Sequence, residues 1–211
     1  MAKQPKGTCA LCGYEGTKAA LSKHLVACSA THDDPKLKED RVFQIRIQAE
    51  GTNLYWLDVE LKQKSSLLEL DQFLRDIWLE CCGHLSMFII HGEHYMIPSP
   101  MDNDPLDMGD KSIDVQASKV LQVGLKFNHE YDFGTSTYLT LNVISEREGR
   151  FKGPIRLLSR NNLHNWQCCQ CDKAATWVNS QDIYDSENPF YCDAHMKKHP
   201  DNDYAFLPTV N

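Results

Sequence analysis

Cysteine and histidine are the residues of this chain whose spacing could do chemistry. In "QCCQCDKAATWVNSQDIYDSENPFYCDAH", residues 167–195, Cys168 and Cys171 form a C-x2-C knuckle, and Cys192 precedes His195 with two residues between them. A knuckle turns two thiolates toward one point, and Cys192 and His195 offer a thiolate and an imidazole at matching reach. Four such ligands complete the tetrahedral shell of a structural zinc site. Cys169 can replace Cys168 in this set and His199 can replace His195. A redox dithiol would leave Cys192 and His195 without a role.

The N-terminus repeats the pattern in another form. In "CALCGYEGTKAALSKHLVAC", Cys9 and Cys12 make a knuckle, and eleven residues later His24 and Cys28 follow at i,i+4 spacing. The stretch 17–28 is rich in Ala, Leu and Lys, which predicts a helix carrying His24 and Cys28 on one face. This is a zinc finger of the C2HC type with ligands Cys9, Cys12, His24 and Cys28, and His32 is a spare. A module of about thirty residues buries too little core to hold itself together without a metal. Both sets fill the tetrahedral shell and leave no position for a catalytic water, so two structural Zn2+ sites are expected.

Composition sets the context. The 211 residues have no apolar run of membrane-spanning length and no signal-peptide pattern at "MAKQPKGTCALCG". A cytoplasmic protein with no membrane contact is expected, and in that compartment clustered cysteines favour metal over disulfides. The nine cysteines include one pair outside the two clusters, Cys81 and Cys82, read as inert buried thiols. Charge is uneven: residues 1–28 carry net +3, residues 29–149 net −10 and residues 150–211 none.

Between the metal modules lies a core of alternating pattern. "VFQIRIQA" places Phe43, Ile45, Ile47 and Ala49 on one face, and "LYWLDVEL" does the same with Tyr55, Leu57, Val59 and Leu61. These predict a hairpin of half-buried strands. "SSLLELDQFLRDIWLE" opens with a capping box, Ser66 with Glu69, and repeats Leu67, Leu70, Leu74 and Ile77 at helical spacing. Three later segments return to strand-like content, and in "KFNHEYDFG" Gly134 is expected to supply a turn. The expected fold class is α+β, a mostly antiparallel sheet with packed helices, flanked by two small zinc-binding modules. The expected divisions are 1–32 finger, 33–40 linker, 41–150 core, 151–164 basic linker and 165–211 C-terminal zinc-binding module.

The order of strand pair, helix, "GHLSMFIIHGEHY", acidic loop and "LKFNHEYDFGTSTYLTLNVI" resembles the plasmid ORF-three-like family of the pRiA type, known also as a passenger of insertion elements. "YDFG" at 131–134 followed by an alternating strand is the most specific feature, and the resemblance covers roughly residues 41–150. Finger-bearing members with a C-terminal "YC..H" element resemble the whole chain. Many members carry a second histidine two places after the first, where this chain has His84 followed by Ser86. The resemblance implies a fold and a prokaryotic mobile-element or defence context, and no general activity.

Function follows from what is present and absent. The chain lacks G-x-x-x-x-G-K-[ST], G-x-S-x-G, H-E-x-x-H and G-x-G-x-x-G. The acidic loop "MDNDPLDMGD" offers Asp102 and Asp104 but has Asp107 where a calcium loop needs glycine. A non-enzymatic adaptor is therefore expected, docking on a protein partner such as a nucleic-acid enzyme or nucleoprotein complex, with a homodimer as a second option. One rival is direct nucleic-acid contact through Lys18, Lys23, Arg156 and Arg160, although one finger reads only about three base pairs. Another is an enzyme with a site near His84, His129 and Tyr131, with His91, His94 and Asp132 as further candidates.

Overall fold

The computed structural model describes residues 5–79, 83–97, 110–162, 164–182, 188–200 and 206–209. Cys81, Cys82 and the acidic loop with Asp102, Asp104 and Asp107 lie outside the described residues. The chain forms two compact units, Met1–Asn162 and Leu163–Asn211. The architecture is mixed α+β with a large, mostly antiparallel sheet, as the alternation and capping signals predict.

In the first unit the strands are β1 (Lys6–Cys9), β2 (Glu15–Thr17), β3 (Asp40–Ala49), β4 (Trp56–Lys62), β5 (Ser86–Ile90), β6 (Glu93–Met96), β7 (Lys111–Ser112), β8 (Lys126–Tyr131), β9 (Thr137–Gly149) and β10 (Ile155–Asn161). Among the described residues they form one sheet in the order β2-β1-β10-β4-β3-β9-β8-β5-β6-β7, with only the β6–β7 pairing parallel. Its helices are α1 (Lys18–Thr31), α2 (Leu67–Ile77) and the single turn α3 (Ala117–Val120). The capping box forms as expected: the Ser66 N–H donates to Glu69 Oε2 at 2.9 Å and the Glu69 N–H to Ser66 Oγ at 3.4 Å. From that cap α2 lays Leu67, Leu70 and Leu74 on Phe43, Ile45, Ile47, Leu57, Val59 and Leu61. This is the main core.

The other face of the sheet departs from expectation. β4 was expected to be half-buried, yet Trp56, Asp58 and Glu60 are buried as well, Trp56 with Leu21 and Leu25 of α1, Asp58 against Arg46 and Ser159, and Glu60 against Arg147 and Arg156. Leu21 and Leu25 of α1 pack with Trp56 and Leu158 in a second core. The 151–164 segment is corrected too. Instead of a linker it contains β10, which stands inside the sheet between β1 and β4. A bulge at Leu157–Ser159 turns Leu158 under α1 and brings the Ser159 hydroxyl to Asp58 Oδ2 at 2.8 Å. The N-terminal finger is thus an extension of the central sheet, with β1 paired to β10, and the division between units falls after Asn162.

The second unit contains β11 (Trp177–Asn179), β12 (Phe190–Tyr191), the single turn α4 (Asp193–Met196) and β13 (Phe206–Pro208), with β11 central in a three-stranded sheet. Trp166 stacks on Phe190 with ring centroids 4.4 Å apart. Asp193 Oδ1 accepts from Thr176 Oγ1 at 2.7 Å and Trp177 Nε1 at 2.8 Å, fixing the start of α4 to β11. Among the described residues no helix is long and apolar enough to cross a membrane.

Candidate metal centres

The N-terminal donors converge from two elements. Cys9 ends β1, and the chain turns back through Gly13, whose φ of 77° suits glycine and whose N–H reaches Cys9 O at 2.9 Å. That turn carries Cys12 toward α1, where His24 and Cys28 stand one turn apart. Thr17 caps α1 by accepting from the Ala20 N–H at 3.3 Å. Cys9 Sγ lies 3.8 Å from Cys28 Sγ, and Cys12 Sγ lies 3.2 Å from His24 Nε2. A tetrahedron with metal–sulfur bonds of about 2.3 Å has edges of about 3.8 Å, so these separations fit one ion.

The C-terminal donors have the same composition on a different frame. Cys171 Sγ is 3.8 Å from Cys192 Sγ, and His195 Nδ1 is 3.3 Å from Cys168 Sγ and 3.5 Å from Cys192 Sγ. Here Cys192 is the N-cap of α4 and His195 lies in its first turn, so the short reach selects Nδ1, whereas His24 uses Nε2 from mid-helix. In both clusters all four donor atoms lie within 4.8 Å of one another, and both could hold a metal ion. These two are the Cys/His clusters among the described residues. The alternative ligands are not in these groups. Cys169 is exposed, His199 meets Tyr191 and Phe206 edge-on at 5.3 and 5.2 Å, and His32, the C-cap of α1, places Nδ1 2.8 Å from Cys28 O and 3.5 Å from Cys28 Sγ.

The thiols differ in acidity. Burial pushes the Cys28 thiol up to about 12, and the neighbouring Cys12 and Cys9 thiols add to the effect. At Cys168 burial opposes the thiolate, but the backbone N–H groups of Gln170 and Cys192 and the His195 ring outweigh it and bring the thiol down to about 6. A metal needs deprotonated sulfur. Each cluster pairs a thiol whose pKa is lowered with help from backbone N–H groups, Cys12 or Cys168, with one whose pKa is raised, Cys28 or Cys171.

The core histidines form a different constellation. His129 is fully buried on β8, with Nε2 2.7 Å from Asp71 Oδ1 on α2. Asp71 also accepts from Ser86 Oγ and from Arg75 Nε, each at 2.7 Å, and Arg75 lies 4.7 Å over the Tyr131 ring. Burial raises the Asp71 pKa, but the bonds from His129, Arg75 and Ser86 prevail and hold it below the ordinary carboxylate value. His84 reaches the edge of this group, 5.9 Å from the Tyr131 ring and 3.7 Å from Asp132. The three expected residues are therefore neighbours, yet His129 has no exposed surface on which to meet a substrate. The composition of the group suits a polar lock between α2 and the sheet.

Sequence reasoning missed Asp71, Arg75 and Ser86. The available signal was Asp71 itself, a carboxylate within the buried stripe of Leu67, Leu70 and Leu74. Elsewhere, His91 and Gly92 form the β5–β6 turn with φ of 53° and 81°, and His94 Nδ1 lies 3.5 Å from Asp110. The expected turn at Gly134 is started by Asp132, φ 61°, whose Oδ1 accepts from the Gly134 N–H.

The basic residues read as phosphate contacts are mostly engaged within the fold. Arg156 binds Glu60 and Asp33, Arg147 binds the same two carboxylates, and Lys18 Nζ donates to Gln48 Oε1 at 2.6 Å. Arg160 is half-buried, with Nε and Nη2 buried and lacking hydrogen-bond partners among the described residues, and burial lowers its pKa. Lys23 is exposed.

No family model matches the chain, and no curated protein matches it. Among solved structures the chain is similar to a protein of unknown function, MM3350 from Methanosarcina mazei Go1, at 15% identity, covering 57% of this chain and 68% of that one with a TM-score of 0.47.

Proposed function

We propose that this protein is a zinc-stabilised, non-enzymatic interaction protein, with one structural Zn2+ in each Cys3His cluster. The observation that carries the interaction reading is the outer face of α1. Ala19, Lys23, Val26, Ala27 and Ala30 are exposed along one side of the helix, and Val26 is 76% exposed. A helix that reads bases presents arginine, asparagine or glutamine from such positions. This one offers small apolar side chains and one lysine, a surface suited to another protein. The donor set supports zinc, because three thiolates and one imidazole at tetrahedral separations match its structural preference.

The partner we infer is a protein component of a nucleic-acid enzyme or nucleoprotein complex in the cytoplasm. The mobile-element or defence context rests on the resemblance of residues 41–150 alone. The test compares the tagged full-length chain with its Val26→Glu variant in the source cell. A protein retained by the wild type and lost by the variant supports the reading. Tight, steeply salt-dependent binding of the purified chain to nucleic acid, unchanged in the variant, would overturn it in favour of phosphate recognition.

A further inference from the structure

The two clusters have the same ligands but different surroundings, and the difference lies in what each one fastens. The N-terminal donors join the β1–β2 hairpin to α1, and α1 packs on β1, β2 and β10, with Leu21 and Leu25 in one cluster with Trp56 of β4 and Leu158 of β10. At its start, Lys18 bonds Gln48 and Ser22 Oγ accepts from Arg46 Nη2 at 2.8 Å, while Arg46 makes paired bonds of 3.0 and 2.9 Å to Asp58. At its end, Arg156 donates to the carbonyl oxygens of Ser29 at 3.2 Å and His32 at 3.0 Å. Asp33, just past the helix, accepts from Arg147 at 2.7 and 3.0 Å and from Arg156 at 2.9 Å. Both arginines also hold Glu60, which is 1% exposed.

We propose that the N-terminal cluster is a metal-operated clasp: ion binding there locks α1 over the buried acids of β4 and sets the stability of the whole Met1–Asn162 unit, whereas the C-terminal cluster secures only its own unit. The proposal deepens the zinc reading above and rests on it. A helix of 14 residues is marginal by itself, and α1 contributes only Leu21, Leu25, Cys28 and Ser29 to the interior. The ligands tie it to the hairpin, beside the Tyr14–His24 stack at 4.5 Å and the packing of Leu21 and Leu25 near Cys9 and Leu11. With α1 released, Trp56 and Leu158 lose their cover, and the Arg156 bonds to Ser29, His32 and Asp33 have no fixed partner. The loss therefore propagates into β10 and β4. Cys168, Cys171, Cys192 and His195, with β12 and α4, belong to the second unit.

The test is hydrogen exchange on the intact chain, resolved by segment, with metal content measured by native mass spectrometry on the same samples. Cys12→Ser removes an exposed ligand at little packing cost and is compared with Cys171→Ser. The clasp predicts that Cys12→Ser loses one ion and that the β4 and β10 amides exchange about a hundredfold faster or more, while in Cys171→Ser they stay within about twofold of wild type. Should Cys12→Ser not be recoverable in folded form, graded chelation and zinc re-addition on the wild type gives the same comparison, and the β4 and β10 protection must fall and return with the ion. Arg156→Met then identifies the route, since removing the metal in that background should cost less than in wild type. Loss of the N-terminal ion with unchanged β4 and β10 protection, or an equal cost in both backgrounds, would overturn the clasp alone. Absence of any ion at Cys9, Cys12, His24 and Cys28 in the wild type would instead overturn the zinc reading beneath it.

Discussion

Asp71 illustrates what single residues do in this protein. It is 2% exposed and gathers His129, Ser86 and Arg75 onto one carboxylate, joining α2 to β5 and β8. Replacing it with asparagine leaves the half-buried Arg75 without its counter-charge, and Asp71→Asn should cost about 3–5 kcal/mol in urea unfolding at neutral pH. The pH dependence has a definite sign. Because the folded-state pKa is lowered, the stabilisation is present in full above the ordinary value of 3.8 and fades as pH falls through the lower folded value. The gap between wild type and Asp71→Asn should therefore be constant near neutrality and narrow only in acid below 3.8; a gap that closes by pH 5, about one unit higher, would contradict the assignment. The eight candidate donors that the fold brings together were legible as residues, since knuckles and pairs three or four residues apart are local spacings. Asp71 and His129, 58 positions apart, were not, because only the fold reveals that they meet.

At the scale of elements, capping and alternation placed α2, β3 and β4 correctly, while the 151–164 segment was misread. Its glycine, proline and clustered basic residues look like a linker in isolation. In the fold, Arg156 answers Glu60 and Asp33, 96 and 123 positions away, and Ser159 answers Asp58, 101 positions away. The polar character that disguised β10 is what binds it. Likewise the alternation of β4 could not tell a solvent-facing side from one covered by α1. The β1–β10 junction yields a direct test at Gly7. A Cβ added there would collide with Arg160 O and lie 2.5 Å from the Trp56 ring. Gly7→Ala should destabilise the Met1–Asn162 unit by about 2–4 kcal/mol in denaturant unfolding, with the zinc content unchanged. Wild-type stability in that variant would mean that β1 does not pack against Trp56 as described.

Across the whole molecule, the acidic balance of the middle segment and the engagement of Arg156, Arg147 and Lys18 within the fold support the proposal of a protein partner. The division into Met1–Asn162 and Leu163–Asn211 predicts two unfolding transitions in calorimetry, with Cys171→Ser shifting only the smaller. A single transition displaced as a whole would show that the units unfold together. The account depends most on the two Cys3His clusters being zinc sites. The measurement that tests this directly is native mass spectrometry of the chain purified without added metal, before and after a chelator. Two zinc ions per chain, both removed by chelation with loss of structure around Cys9–Cys28 and Cys168–His195, is the predicted result. A chain that carries one ion or none and keeps its folded charge-state distribution would contradict it.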